Sequence, residues 1–341
     1  MRAFALVAAP SLLALALAGC PGDDKSEPPA CVGQQALTAA PVFGTSMALK
    51  QIALSFDDGP GARTAELSTY LKGQGIRATF FVNNNAQQAA FINVLPQLVA
   101  DGHVIGNHTK NHPDLTTQNA TQIVAEVTDV DTLIAPYVPN NRFLFRAPFG
   151  AWNADVFNAL QASPMKKYVG HIEWEAGDNL DPANKQAADF ACWQGQAGPP
   201  ATTPMTSKAC GDLYVQEIEG AGKGIVLMHD ADYGDSSNTN IDAGKGNTVD
   251  MVKYIVPVLK AKGFTFIGVD EVPDIAAVLP PLPPKDAGAD ATPDAGTSSS
   301  SSSSGGSSTS SGGSSGVDAG DPCPPAATTT PRRVRVHTHH H

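Results

Sequence analysis

The sequence has no basic patch in its main body. It contains 33 acidic and 22 basic residues, for a formal net charge of −11, and its basic cluster is Arg332, Arg333 and Arg335 near the C-terminal end. Proteins that bind nucleic acid gather lysine and arginine on one face or along one helix. The charge distribution therefore argues against nucleic acid as a partner.

The sequence also lacks an apolar run suited to crossing a membrane. The N-terminal run Ala3–Ala18 contains Pro10 and is shorter than the roughly 20 residues that a spanning helix needs. It leads into Leu17-Ala18-Gly19-Cys20, which resembles a bacterial lipoprotein signal, with an ordinary cleaved signal as the alternative. We therefore expect a signal peptide over residues 1–19, secretion across the inner membrane, and a lipid on Cys20. That lipid would hold the protein on a cell-envelope membrane, at the periplasm or cell surface.

Cysteine is scarce, with five residues in the whole chain. After Cys20 is assigned to the lipid, four remain, and in an oxidising compartment they are disulfide candidates. Cys192 and Cys210 lie in one segment and are the predicted pair. Cys31 and Cys323 lie in the flanks, and the sequence leaves open whether they pair.

The chain is not foldable over its full length. Residues 281–330 consist mostly of Pro, Ala, Asp, Gly, Ser and Thr, and such a composition buries too little apolar surface to offset the entropy of ordering. We predict a tether over 20–48, one domain over 49–279, and a low-complexity, disordered tail over 280–341. The domain of roughly 230 residues fits one large α/β unit.

Between the flanks, strand-like and helix-like patterns alternate, which favours a parallel sheet or barrel. Predicted strands cover 51–56, 78–82, 103–105, 143–145, 167–173, 224–228 and 264–269. Predicted helices cover 64–72, 89–100, 121–135, 153–161 and 248–262. The segment 177–213 interrupts this alternation and is interpreted as a disulfide-stapled insertion near the mouth of a site.

Four short motifs follow the predicted strands in a fixed order. They are Ser55–Pro60 (SFDDGP), Gly106–Pro113 (GNHTKNHP), Arg146–Gly150 (RAPFG) and Ile225–Asp230 (IVLMHD). Active sites of α/β proteins collect at the carboxyl ends of strands. Together the motifs supply carboxylates, a histidine pair, an arginine and a late histidine, which are the parts of a metal-assisted hydrolase.

The histidine pair is the strongest metal signal. His108 and His112 are four residues apart and would point in one direction if the segment were helical. A carboxylate would complete a two-histidine, one-carboxylate face with open positions. Asp57 and Asp58, side by side, can divide the work between metal and water, although Asp-Asp-Gly-Pro is also a good turn sequence.

With these residues in place, the chain resembles the polysaccharide deacetylases that carry a NodB-type domain, carbohydrate esterase family 4. The resemblance covers about residues 50–275 and implies a distorted (β/α) barrel of roughly seven repeats. It implies a divalent metal, zinc above all with cobalt, nickel or manganese as alternatives. The implied ligands are Asp58, His108 and His112.

The resemblance also implies the remaining roles. Asp57 would be the general base, tethered by Arg146, and His229 would be the general acid. Leu227 would line the acetyl pocket, the Phe149 amide would hold the oxyanion, and Pro148 is assigned to the substrate site with them. The chain departs from the family where an Asp-Trp pair is common. There Asp178 is the candidate partner of His229, with Asp189 and Asp181 as alternatives.

The implied activity is deacetylation of N-acetylated glycans, such as chitin oligomers or peptidoglycan, by a monomer. The alternatives are an O-acetyl esterase acting on xylan, which could use the same groups, and a non-catalytic glycan-binding lipoprotein. The last is disfavoured because all the ligand, base and acid positions are filled. The motifs do not identify the glycan.

Overall fold

The structure is a computed structural model that describes residues 37–195, 203–231 and 233–281. The predictions for the signal over 1–19, for Cys20, Cys31 and Cys323, and for the tail beyond residue 281 lie outside these ranges. Among the described residues, no helix combines the length and apolar character needed to cross a membrane.

Parallel strands form the centre of the described chain. A five-stranded sheet has the order β4-β3-β2-β6, with β7 also paired to β2, and a separate two-stranded sheet joins β1 to β5. The predicted α/β class with parallel strands is confirmed. The strands are β1 Leu37–Val42, β2 Gln51–Asp57, β3 Thr79–Val82, β4 Val104–Asn107, β5 Gly170–Ile172, β6 Gly224–His229 and β7 Thr265–Phe266.

The register of the strands determines which residues meet at the carboxyl end of the sheet. Asp57, the last residue of β2, is paired with Phe81 of β3 on one side and with His229, the last residue of β6, on the other. The carboxyl ends of these strands therefore lie at one level. Fully buried Phe56 and Phe80 stack below that level with ring centroids 5.1 Å apart, which anchors the two strands to one core.

Helices cover the sheet, and polar caps begin several of them. For α3, the Asn119 side chain accepts from the Gln122 N–H while Gln122 reaches back to the Asn119 backbone. Ile123, Val127 and Val130 then bury one face at helical spacing. The helices are α1 Thr64–Gly73, α2 Leu95–Ala100, α3 Ala120–Ile134, α4 Ala154–Gln161, α5 Asp189–Gln194, α6 Ser207–Ala221, α7 Thr248–Ala261 and α8 Pro273–Ala276.

The predicted insertion contains helix α5 and the start of helix α6, where a loop was expected. The predicted disulfide between Cys192 and Cys210 is confirmed, and it joins α5 to α6 across a sequence separation of 18 residues. Both cysteines are fully buried. The bond fastens the short helix α5 to the longer α6, so the segment packs as part of the domain.

Several predicted boundaries are wrong. The predicted tether over 20–48 contains β1, whose Leu37 lies in the core, so the folded part begins no later than Leu37 and not at residue 49. The predicted helix over 89–100 is two 3-10 turns followed by α2. The predicted strand over 143–145 forms only isolated bridges. Within the part of the chain that the structure describes, the strands β1 to β7 do not close into a barrel.

Candidate active site

One cavity of about 320 Å³ opens at the carboxyl ends of β2, β4 and β6. Most of the site residues expected from the sequence line it: Asp57, Asp58, His108, His112, Phe149, Asp178, Leu227 and His229. Buried Arg146 contacts the site through Asp57. The four motifs therefore meet in one place.

Asp58, His108 and His112 form a cluster with the chemistry of a metal centre. Asp58 Oδ1 lies 3.2 Å from His112 Nε2 and 3.5 Å from His108 Nε2, and one ligand atom from each residue falls within 4.8 Å of the others. His108 Nδ1 lies 2.9 Å from the Arg146 carbonyl oxygen and donates its proton there. The other ring nitrogen, Nε2, therefore carries a free lone pair that faces the cluster.

Two observations test whether this cluster fits a cation. Asp58 Oδ1 is buried and makes no hydrogen bond, although a buried carboxylate oxygen without a partner is costly. Burial, followed by the neighbouring His112, lowers the pKa of His108 well below its usual value, so its ring is neutral and able to ligate. Two nitrogens and one carboxylate oxygen suit zinc and related divalent ions.

The backbone brings the two histidines together by a route that the sequence argument did not foresee. The segment is a loop, so the argument from helical spacing is wrong, although the pair is correct. Thr109 and His112 have φ of 67° and 57°, in the left-handed region, and the imidazole centroids lie 5.0 Å apart. The Asn83 amide donates to the carbonyls of His108 and Thr109 and holds the loop in this conformation.

Asp57 is held by a buried arginine. Arg146 Nη1 donates to Asp57 Oδ1 over 2.8 Å and to Ser55 Oγ over 2.9 Å, and its guanidinium lies 4.3 Å from the ring centroid of Phe81. Burial raises the pKa of Asp57, while the charge of Arg146 opposes that rise. The second oxygen, Oδ2, lies 3.6 Å from His108 Nε2 and so faces the metal cluster.

His229 is paired with Asp189, so the prediction of Asp178 as its partner is wrong. Asp189 Oδ1 lies 2.8 Å from His229 Nδ1, while Oδ2 accepts from the His229 backbone N–H and from Thr248 Oγ1. Burial by itself would lower the pKa of His229, but Asp189 outweighs it and the pKa rises to about 9. Asp178 lies on the cavity wall, and the other alternative, Asp181, holds an exposed turn.

Two of the three residues expected to contact substrate, Phe149 and Leu227, line the cavity. Phe149 is 50% exposed, has a φ of 59°, and its ring meets His112 edge-on at 4.4 Å. Leu227 reaches the cavity from β6, and Pro148 is buried immediately before Phe149. Their roles toward a substrate stay predictions.

Residues 45–168 match the family model described as polysaccharide deacetylase. A chitin deacetylase of Arthroderma benhamiae is 37% identical over 112 residues, which is 32% of this chain and 30% of that protein. A chitooligosaccharide deacetylase of Azorhizobium caulinodans is 26% identical over 218 residues, 62% of this chain and 90% of that protein. The family model covers residues 45–168 alone, so over that segment the chain is similar to the polysaccharide deacetylases.

A further relative, the peptidoglycan-N-acetylglucosamine deacetylase of Bacillus cereus, is 26% identical over 222 residues, 64% of this chain and 66% of that protein. The chain spans about a third of the length of the chitin deacetylases from Arthroderma benhamiae and Pestalotiopsis that it matches. The names of these relatives describe those proteins. The substrate and activity of this chain rest on the geometry of its own site.

Three aromatic residues of the cavity were not among the predicted site residues. Trp174, Phe190 and Tyr233 all line the cavity. Phe190 packs edge-on against the ring of His229 at 5.3 Å, and Tyr233 does so at 5.8 Å. Tyr233 follows His229 by four residues. That nearness along the chain is the one signal that could have pointed to it.

Proposed function

We propose that this protein is a metal-dependent hydrolase that removes acetyl groups from N-acetylated glycans. The observation that carries the proposal is the convergence of three groups on one cavity: the Asp58, His108 and His112 cluster, the arginine-held Asp57, and the aspartate-paired His229. A base and an acid flanking a ligand cluster are the arrangement that hydrolysis of an amide requires.

Asp58, His108 and His112 would hold a divalent cation, which we propose is zinc, with cobalt, nickel or manganese as alternatives. When bound, such an ion supplies polarisation of a carbonyl oxygen and a lowered pKa for water at the site. The protein contributes the donor atoms and their orientation. His108 is oriented through its hydrogen bond to the Arg146 carbonyl.

We propose that Asp57 takes a proton from the attacking water. Its Oδ1 is occupied by Arg146 and its Oδ2 faces the cluster, so one oxygen is fixed and the other is presented to the reacting groups. Arg146 favours the ionised carboxylate that a base needs and opposes the effect of burial. As negative charge develops on the acetyl oxygen, the backbone N–H of Phe149 would help to stabilise it.

We propose that His229 protonates the departing nitrogen. An amide nitrogen is too basic to leave as an anion, so the bond to the acetyl carbon breaks only when the nitrogen receives a proton. The Asp189 pair raises the pKa of His229 to about 9, which keeps it protonated at neutral pH. An ester depends less on this proton, so the His229–Asp189 pair favours an N-acetyl over an O-acetyl substrate.

The charges around the cavity indicate which kind of glycan it accepts. Among its described lining residues are three aspartates, Asp57, Asp58 and Asp178, and no lysine or arginine. This lining favours an uncharged glycan, such as a chitin oligomer, over an acidic one. Exposed Phe149 and the nearby Trp174 offer apolar faces on which a sugar ring can pack. Leu227 would contact the acetyl methyl, with Pro148 behind Phe149.

We also infer that the two sheets form one distorted barrel. Isolated parallel bridges join Asn107 to Phe145, Leu144 to Val169, and Ala176 to Val226. Since Asn107 ends β4 and Val226 lies in β6, these bridges span the gap between the edges of the five-stranded sheet. The expected ring of roughly seven strands would then have irregular, bridge-only members on this side.

The anchor and assembly state are proposals from the sequence. Lipidation of Cys20 would hold the protein on a cell-envelope membrane, and we propose a monomer. Incorporation of a labelled fatty acid that Cys20→Ser abolishes would support the lipid, and light scattering of the purified protein tests the monomer. Incorporation that persists in Cys20→Ser would refute lipidation at this residue.

Acetate release by the purified protein tests the activity. The protein is assayed with Zn²⁺ on chitin oligomers, peptidoglycan and acetylated xylan, each with a chelator control. Chelator-sensitive release from an N-acetyl substrate is expected. Release from xylan alone would make the protein an esterase, and metal binding without release from any substrate would support the non-catalytic glycan-binding alternative.

A further inference from the structure

Tyr233 contacts the site in a way that the deacetylase reaction, as described above, does not use. Its hydroxyl donates a hydrogen bond to Asp58 Oδ2 over 2.7 Å. The same carboxylate has its other oxygen, Oδ1, buried without a hydrogen bond and close to the Nε2 atoms of His112 and His108. The two oxygens of Asp58 therefore have separate surroundings.

We propose that Tyr233 is a positioning residue, whose hydroxyl occupies Asp58 Oδ2 and so presents Oδ1, together with the two histidine Nε2 atoms, to a divalent cation. The inference rests on the proposed metal site. It adds a residue that lies outside the four sequence motifs and outside the ligand set.

The physical reason is that a carboxylate has two equivalent oxygens. Without a partner on Oδ2, Asp58 can rotate, or can offer both oxygens to a cation at once. A hydrogen bond from Tyr233 fixes one oxygen and leaves one donor atom directed at the histidines. Hydrogen-bonding partners of metal ligands typically change metal affinity by about 10- to 100-fold.

The position of the tyrosine ring gives the contact a second consequence. The ring packs edge-on against His229 with centroids 5.8 Å apart, at an interplanar angle of 77°. One side chain thus contacts both a ligand of the cluster and the proposed acid. Tyr233 therefore contacts both Asp58, the residue after β2, and His229, the last residue of β6.

The test compares Tyr233→Phe with a matched variant, Tyr254→Phe. Tyr254 also donates its phenol proton to an aspartate, Asp212, but on the α6–α7 face. Zn²⁺ dissociation constants are measured on the full-length proteins by competition with a chelating dye, and Co²⁺-loaded samples are compared by visible absorption. We expect affinity to fall about 10- to 100-fold in Tyr233→Phe, with an altered Co²⁺ spectrum, and to stay within about twofold in Tyr254→Phe.

Several outcomes would overturn the inference. Zn²⁺ affinity within about twofold of wild type and an unchanged Co²⁺ spectrum would do so, and a raised KM with normal Zn²⁺ affinity would make Tyr233 a substrate contact instead. If Tyr233→Phe lowers the metal-free unfolding midpoint, the rise in midpoint on adding Zn²⁺ still reports its metal affinity.

The inference and the proposed activity can fail separately. A wild-type protein that binds Zn²⁺ but releases no acetate would refute the activity, while the dissociation constants would still decide the role of Tyr233. A wild-type protein that binds no divalent metal would refute the metal site and the role of Tyr233 together.

Discussion

Asp57 and Asp58 are neighbours in the chain, yet their carboxylates meet different partners. Asp57 ends β2 in an extended conformation, whereas Asp58 has a φ of 65° in the left-handed region. Asparagine and aspartate tolerate that region better than most residues. The change of conformation between them turns one carboxylate to Arg146 and the other to the histidines.

Replacing Asp57 with asparagine distinguishes the proposed base from the proposed metal ligands. We expect Asp57→Asn to lower kcat by about 10²- to 10⁴-fold, since the amide cannot accept the water proton, and to leave Zn²⁺ affinity within a few-fold. Acetate release and a Zn²⁺ titration measure the two effects. Asp242→Asn, on an exposed loop, is the matched control. Undiminished turnover in Asp57→Asn would refute the base assignment.

We expect the partner of His229 to set the upper pH limit of the proposed reaction. An acid works only while protonated, so activity is lost as the pH rises through the pKa of His229, which Asp189 brings to about 9. Asp189→Asn removes the charge that raises this pKa. The alkaline limb of kcat/KM should therefore move to lower pH, and kcat at pH 7 should fall by about 10²-fold.

The pH profile of a second variant completes that experiment. Asp181 was a sequence-based alternative for the partner and lies in an exposed turn, where its carboxylate accepts from Ala183 and Asn184. Asp181→Asn should leave the alkaline limb in place. If Asp189→Asn also leaves it in place, His229 is not the group that limits activity at high pH.

At the scale of elements, the sequence predicted the strand ends well. Asp57, His108 and His229 each follow a short apolar run, and parallel pairing brings such ends to one edge. Asp189 stood only as an alternative to Asp178, because local sequence does not fix the conformation of the insertion that contains it. Its position depends on tertiary contacts, namely the Tyr214 hydroxyl that accepts from the Asp189 N–H and the disulfide of α5.

The disulfide is the tie that keeps α5 in place. Replacing both Cys192 and Cys210 with serine removes a cross-link that closes a loop of 18 residues, and we expect the free energy of unfolding to fall by about 3 kcal/mol. Because α5 carries Asp189, the alkaline limb of the kcat/KM profile should also be less steep. Urea unfolding and pH profiles measure these effects.

A matched pair of substitutions controls for the added hydroxyls. Ala191 and Ala209 lie next to the cysteines on the same two helices. The Ala191→Ser and Ala209→Ser double variant should lose about 1 kcal/mol or less. An equal loss in both double variants would show that the cross-link itself contributes nothing.

At the scale of the whole molecule, the sequence left out the first strand. The segment Leu37–Val42 reads LTAAPV and mixes buried with exposed positions without alternation, and alanine and proline are uncommon in strands. Its place is set by backbone pairing to β5 and by the Glu173 N–H that donates to the Val42 carbonyl over 2.8 Å. Neither partner could be recognised from local sequence.

This strand connects the first described residues to the site. β1 pairs with β5, which contains buried His171, and His171 Nδ1 accepts the N–H of Ala147 in the arginine motif. A chain that starts at residue 44 should therefore be less stable than one that starts at residue 37. We expect the difference to be about 3 kcal/mol, from the burial of Leu37 and the lost strand pairing.

Comparing the chains that start at residues 37 and 44 also distinguishes an effect on stability from an effect on the geometry of the site. Because His171 supports the loop that carries Phe149, the shorter chain should lose kcat even under conditions where it is folded, while its Zn²⁺ affinity stays within a few-fold. Urea unfolding, acetate release and Zn²⁺ titration of the two chains measure the three quantities. Equal stability and equal kcat would mean that the pairing of β1 with β5 supports neither the fold nor the arginine motif, and would return the start of the functional domain to residue 49.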